Sequence, residues 1–321
     1  MKTIIHHRSE EFSLMMKRIR KNFSKILDSY PPTLFSSSGT GAINAVFQNF
    51  VDPTKKSLIL SSGKFANRML EIMRFYGISP TVIRAKPGEL FNIAKIPKQE
   101  FDYVFMTYVE TSTGTRNNVE EVISVIKKIN KNTKVIVDAV SAFAAYEIFP
   151  EKIGIDILIG ASHKALGCPP GISFIWRSEN VETLKSEDFY FNFSAESQKQ
   201  EKELGFRFTP PVEVISALDV SLEYVAQNPS DFIKLHQKRS DFFRRQIRKS
   251  GLELFSQNPA NTVTAVKIKN ADKITRSVLK KGFLIGKGAE NYENIVRVSH
   301  MGDVSFRDLK IIAKLIKKYN K

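Results

Sequence analysis

An α/β fold built around a mostly parallel sheet is predicted by three features of this sequence. Short β-branched runs alternate with amphipathic stretches through the first two thirds of the chain, the order of successive βαβ units. Its 321 residues, 42% of them hydrophobic, can bury one large core and a smaller one. Near "AQNPSD" the alternation gives way to a long helical pattern followed by strands and helices in mixed order.

The strand candidates of the first part are "PTLFSSS", "SLILSS", "TVIRA", "DYVFMTYVE", "TKVIVDAV", "IDILIGAS" and "GISFIWRS", which together predict a seven-stranded sheet. Between them, "AINAVFQNF", "FANRMLEIMRFYG" and "VEEVISVIKKIN" carry helical periodicity, and Gly77 stops the second. Loops that follow strands in such a sheet gather at the strands' carboxyl ends, where ligands bind. Beyond "AQNPSD", Ser230 and Asp231 read as the cap of a long helix, "FIKLHQKRSDFFRRQIRKSG". The strands "NTVTAVKIK", "FLIGKG" and "NIVRVSHMG", the helical "ADKITRSVLKKG" and a last helix follow. The expected division is a large domain over 1–228 and a smaller carboxyl-terminal α+β domain over 229–321.

The composition narrows the class. Forty-nine Lys and Arg against 33 Asp and Glu leave a formal charge of +16, but the basic residues are spread without a like-charge block. That pattern reads as a solvated surface, and nucleic acid is not expected as a partner. The single cysteine, Cys168, allows no intrachain disulfide and suits a reducing cytoplasm. The amino terminus, "MKTIIHHRSEEF", turns charged too early for the apolar core of a signal peptide. The apolar run around "VIVDAVSAFAAY" is broken by Asp138 and is too short to span a bilayer. A soluble cytoplasmic protein is expected, with no membrane partner.

Three loops at the expected sheet edge carry chemistry. In "SSSGTGAINAVF" a strand runs through Ser38, Gly39 and Thr40 into a helix, so backbone N–H groups and the helix's positive end converge on a point that suits a phosphate. Ser and Gly between strand and helix are also ordinary turn chemistry, so this loop alone is a weak sign. Asp138 ends the strand "TKVIV", where a carboxylate is partly desolvated and wants a cationic partner; a lone Asp there is more often structural. After the next strand comes "GASHKALGCPPG", with Lys164 hemmed in by small residues. A lysine becomes nucleophilic where its surroundings favour the neutral amine. Pyridoxal phosphate asks for a lysine for its aldehyde, a carboxylate for its pyridinium nitrogen and a phosphate cradle, and the sequence offers all three.

The segments "SSSGTGAINAVF", "SSGKFANRMLEI", "YVETSTGTRNNV", "VDAVSAF", "GASHKALGCPPGISFI", "TPPVEVISALDVSLEYV" and "VRVSHMGD" stand in the order found in class V pyridoxal-phosphate aminotransferases of fold type I. The chain resembles in particular the branch of alanine–glyoxylate, serine–pyruvate and small aspartate aminotransferases. That resemblance implies transfer of an amino group from an amino acid (alanine, serine or aspartate) to a 2-oxo acid (pyruvate, glyoxylate or 2-oxoglutarate). It also implies a homodimer with active sites at the subunit interface. Lys164 would be the Schiff-base lysine and proton shuttle, and Asp138 would hold the pyridinium proton. Ser38, Gly39 and Thr40 would bind the phosphate, Phe65 would stack on the ring, and Val140 would pack on its other face. Ser112 would lie near the ring hydroxyl, and Arg297 would bind the substrate carboxylate, a task suited to a planar two-pronged donor. No metal is implied. Read without the family, Phe65 is equally a core residue, Ser112 a turn residue and Arg297 an ordinary strand arginine.

Some positions depart from the family's pattern. His163 stands where glutamine is common, and is expected to donate a hydrogen bond to the phosphate or ring oxygen. Phe206 replaces a tyrosine that would reach the phosphate from the partner subunit; Thr209 keeps its contact, and Arg207 adds charge. Relatives carry an amino-terminal Pro-Gly-Pro segment that roofs the partner's site, and the chain starts beyond it, so closure is expected to differ. Two alternatives follow. A cysteine desulfurase or lyase would need a mobile thiol, whereas Cys168 sits in a turn and reads as an apolar filler. A basic binding protein that has lost catalysis is favoured by the charge and opposed by the intact Asp138 and Lys164.

Overall fold

The computed structural model of the chain describes residues 5–184, 186, 188–288 and 292–320. The reading of the amino terminus rests partly on the first four residues, which lie outside the described ones.

In chain order the elements begin with α1 (Glu10–Leu27), β1 (Thr33–Phe35), α2 (Gly39–Phe50), β2 (Ser57–Ser61), α3 (Lys64–Phe75) and β3 (Thr81–Arg84). There follow β4 (Tyr103–Thr107), the hairpin β5 (Val109–Glu110) and β6 (Thr115–Arg116), α4 (Val119–Ile129), β7 (Lys134–Asp138), α5 (Pro150–Ile153), β8 (Ile157–Ala161) and β9 (Ser173–Arg177). The rest comprises α6 (Phe193–Glu203), α7 (Val212–Gln227), α8 (Pro229–Lys249), β10 (Val263–Lys267), α9 (Ala271–Leu279), β11 (Gly286–Lys287), β12 (Ile295–Ser299) and α10 (Phe306–Tyr319).

Seven strands form the main sheet in the order β1-β9-β8-β7-β4-β2-β3, with only β9 running against its neighbours. Helices cover both faces, so β2 and β8 are buried along their whole length and read as continuous apolar runs. Alternate residues serve opposite layers. Leu58, Val104, Val137 and Leu158 pack with Phe12, Ile19 and Phe23 of α1. Ile59, Phe105, Ile136 and Ile159 pack with Val46 and Phe47 of α2 and Met69 and Met73 of α3. Register places Thr107, Asp138 and Ile159 side by side, so β4, β7 and β8 release their chains at one edge.

A second, antiparallel sheet, β10-β12-β11, carries its own apolar cluster with α8, α9 and α10. Two expectations are corrected here. Only Gly286 and Lys287 of "FLIGKG" pair as a strand, because Phe283 to Ile285 follow directly on the turn at Gly282, whose φ is +84°. The long helix starts at Pro229 with Asn228 as its N-cap, since proline's fixed φ suits the first helical position; Ser230 and Asp231 fall in the first turn. Among the described residues, no helix is long and apolar enough to cross a membrane.

Two histidines are buried beside this smaller sheet. His300 shares a 2.8 Å hydrogen bond between its Nε2 and Thr264 Oγ1, and His236 donates from Nδ1 to the Phe232 carbonyl at 3.0 Å. Burial, and after it the charges of Arg244, His236 and Arg239, hold His300 well below the usual imidazole range. The folded protein therefore keeps His300 neutral, while the unfolded chain takes up a proton near pH 6.5. Stability tied to His300 is complete above that pH and is lost as pH falls below it. Relative to a His300→Gln variant, wild type should lose up to about 1.4 kcal/mol for each pH unit below 6.5, measured by urea unfolding between pH 7.5 and 5. A constant gap would show that His300 does not titrate on unfolding.

Candidate active site

The loops at the edge shared by β4, β7 and β8 enclose a cavity of about 180 Å³. Ser38, Gly39, Thr40, Phe65, Asp138, Val140, His163 and Lys164, all expected in the site, line it together.

The phosphate-type loop is built by helix capping. Ser38 caps α2, its Oγ accepting from the Gly41 amide at 3.3 Å. The amides of Gly39 and Thr40, at the same positive helix end, donate to no group among the described residues and open on the cavity. A Cβ on Gly39 would lie 2.7 Å from Val140 Cγ2, so this approach of the two loops requires glycine. Val140 in turn donates its amide to Asp138 Oδ1 at 2.9 Å, the one hydrogen bond the Asp138 carboxylate accepts among the described residues.

Asp138 is 8% exposed, and burial pushes its carboxyl up to about 6. The Val140 amide and the charges of Lys164 and Arg68 oppose that push, whereas Glu110 adds to it. Lys164 is half-buried; burial lowers its ammonium, with Arg297 and Arg68 adding to the effect and Asp138 opposing it. The two groups are mutually dependent: the carboxylate needs a cation, and the amine is biased towards the neutral, nucleophilic form. Phe65 stands opposite, with Lys164 Nζ 6.0 Å from its ring centroid. His163 is pushed down by burial first and by Lys164 second, so it is neutral, and its buried Nδ1 has no partner among the described residues.

Three expected residues stand elsewhere. Ser112 is fully buried in the turn between β5 and β6 and is not part of the cavity lining; its hydroxyl donates to Glu110 Oε1 at 2.5 Å and accepts from the Lys64 amide at 3.1 Å. Arg297, on β12, donates from Nε to the Lys287 carbonyl at 2.6 Å and from Nη1 to the Thr111 carbonyl at 3.1 Å, which fixes the plane of its fork. It lies near enough for its charge to depress Lys164. Thr209 is exposed on a separate cavity of about 700 Å³, with Arg8 and Arg207. Phe206 turns into its own subunit's core against Phe12, ring centroids 6.5 Å apart. Cys168 is 8% exposed, its Sγ 3.5 Å from the Ala217 carbonyl of α7, the setting of an apolar filler and not of a mobile nucleophile.

Sequence reading passed over Glu110. This carboxylate is fully buried and accepts from the Ser112 amide and hydroxyl on one oxygen and from the Phe65 and Ala66 amides on the other. It thus caps α3 from a distant loop and sets where Phe65 stands. The fit is close: a Cβ on Gly63 would meet Ser112 Oγ at 2.5 Å and Glu110 Cγ at 2.6 Å. A Glu110→Gln variant must turn an amide NH₂ towards donors. It is expected to lose about 1–3 kcal/mol of stability, measured by denaturant unfolding.

A lysine beside a buried carboxylate at the carboxyl edge of a mostly parallel sheet, faced by a capped-helix loop and an aromatic ring, defines a fold-type I pyridoxal-phosphate enzyme. The chain belongs to the class V aminotransferases, whose family model, "Aminotransferase class-V", matches residues 2–290. It is 32% identical to the soluble hydrogenase 42 kDa subunit of Anabaena cylindrica, over 97% of this chain and 86% of that protein. It is 28% identical to alanine–glyoxylate aminotransferase 1 of Saccharomyces cerevisiae, over 92% of this chain and 86% of that protein. The fold matches the crystal structure of a subgroup IV aspartate aminotransferase from Thermus thermophilus at a TM-score of 0.92, covering 99% of this chain and 93% of that one at 21% identity. The chain is a transaminase, and its cofactor is pyridoxal phosphate.

The residues present fit that cofactor on their own terms. Asp138 is a buried acceptor short of donors, Gly39 and Thr40 offer unused amides, and His163 has an orphaned buried nitrogen, all on one cavity. Among the described residues no cluster of His, Cys, Asp and Glu could hold a metal ion.

Proposed function

We propose that the chain moves the amino group of a small amino acid, alanine or serine, to a 2-oxo acid such as glyoxylate or pyruvate. The observation that carries this reading is the convergence of Lys164, Asp138 and the Ser38–Thr40 loop on one cavity, with the charge of Arg297 close enough to act on Lys164. Arg8 and Arg207, the cations considered for aspartate, lie on the other cavity, so neither meets a second substrate carboxylate at Lys164 within the protomer. The Saccharomyces cerevisiae relative, by its name an alanine–glyoxylate aminotransferase, supports alanine and glyoxylate among these.

Each residue has a distinct task. Pyridoxal phosphate, when bound, supplies an electron sink for the bond broken at the substrate's alpha carbon. Lys164 would hold the cofactor and then, as a free amine, carry the alpha proton. Burial biases that amine towards its neutral, proton-accepting form. Asp138 would keep the ring nitrogen protonated, and burial makes its charge act at full strength. Gly39 and Thr40 would donate to the phosphate, and Phe65 and Val140 would confine the ring. Arg297, its plane already fixed, would take the substrate carboxylate in a two-pronged contact.

The working form is proposed to be a cytoplasmic homodimer. Phe189, 76% exposed, packs with Tyr190 and Phe208 in an aromatic group, and Tyr190 Oη reaches the Ser36 carbonyl beside the phosphate loop at 3.5 Å. A second copy seated there would bring Thr209 towards a cofactor site. The substrate reading is tested by adding single amino acids to the cofactor-loaded protein and following the cofactor's visible absorbance. Alanine or serine should convert it faster than aspartate; conversion by aspartate alone would overturn this choice of donor.

A further inference from the structure

The charge balance of the cavity has one cation without a task. A phosphate ester carries up to two negative charges near neutral pH, and the Ser38–Thr40 loop offers it amides and a helix end, worth about half a positive charge. Buried anions need full counter-charges. Among the described residues lining the cavity, the cations are Lys164 and Arg68, and His163 is held neutral. Lys164 would be committed to the cofactor's aldehyde and not to its phosphate. Arg297 is bonded to the Thr111 and Lys287 carbonyls and is not part of the cavity lining.

Arg68 remains, and its position is specific. It stands one helical turn beyond Phe65 on α3, on the same face. Its Nη1 donates to Thr40 Oγ1 at 3.3 Å, which places the guanidinium against the phosphate-type loop. Its Cζ lies 5.1 Å from the Phe65 ring centroid, so the ring and the loop hold it between them. Both Asp138 and Lys164 feel its charge. No carboxylate is paired with it in an ion pair among the described residues.

We infer that Arg68 is the counter-charge for the cofactor's phosphate, binding that group beside the Gly39 and Thr40 amides. This rests on the reading of Ser38–Thr40 as the phosphate cradle. Arg68 also couples the cradle on α2 to the ring-stacking residue on α3, so one side chain sets the spacing between the cofactor's phosphate and ring.

The test compares two ligands that differ by the phosphate alone. Equilibrium dialysis of the purified protein against pyridoxal 5′-phosphate and against pyridoxal gives the preference that the phosphate confers. Arg68→Met should weaken pyridoxal phosphate by about 10- to 100-fold, the span of a charge-assisted hydrogen-bond pair, while changing pyridoxal less than about threefold. Arg68→Lys, which keeps a point charge, should fall between, and it keeps the test open if the Met variant fails to fold. An equal loss for both ligands would make Arg68 a support for Phe65 only, and no loss would remove it from the site; either overturns the inference. A wild-type protein that does not distinguish the two ligands would overturn the cradle reading and this inference with it.

Discussion

Replacing Lys164 by alanine is expected to lower amino-group transfer by about 10³-fold or more, the scale of losing a positioned proton carrier together with the covalent anchor. The protein should still fold, because Lys164 is half-buried in a loop and its neighbours Ala165 and Leu166 hold the packing. Its loss also removes a charge that steadies Asp138, so the carboxyl should rise further above its ordinary range. A variant that retained a tenth of wild-type turnover would assign the proton transfer to another group.

Asp138→Asn has the second largest expected effect, and it acts on activity and stability in opposite directions. Turnover should fall by about 10²- to 10³-fold, since a buried charge aimed at the reacting system is lost. Stability without cofactor should rise. Folding lifts this carboxyl from 3.8 to about 6, so at pH 7 the folded state bears a carboxylate it would sooner protonate. The folded state binds protons more tightly than the unfolded one, and its stability therefore increases as pH falls through that window. The asparagine protein should be more stable than wild type by about 1–3 kcal/mol above pH 6, with the gain vanishing towards pH 4. Asparagine can still accept from Val140, so the loop need not move. The pattern is that of a site whose function is bought with stability.

The main sheet was legible because its inner strands are buried on both faces and leave near-continuous apolar runs, while β3, at the edge, is half-exposed; each of the seven predicted segments contains one of its strands. Lys164, Asp138 and the Ser38–Thr40 loop were legible for a related reason: a charged or Gly-rich break at the end of such a run has few structural uses. Glu110 and Arg68 were not. Glu110 sits in "YVETSTG", but its role depends on α3 being brought from elsewhere in the chain to receive the cap, which local pattern does not reveal. Arg68 follows Phe65 by one helical turn, a spacing that could have flagged it. A helix arginine, however, is ordinarily solvated, and only its contacts with Thr40 and Phe65 on the cavity separate it from that role. "FLIGKG" has strand composition, but its pairing is limited by the turn that precedes it and by the short register with β12. Thr209 and Phe206 show a different limit: the protomer places one on an outer cavity and the other in its core, and no single-chain pattern specifies what a second copy adds.

The central claim is that Lys164 carries the cofactor. Borohydride reduction of the cofactor-loaded protein, followed by proteolysis and peptide mass spectrometry, tests it without reference to any substrate. The pyridoxyl mass should appear on the peptide containing "GASHKALGCPPG" and fragment to Lys164. Its appearance on another lysine, or its absence from a protein that retains the cofactor, would contradict the assignment.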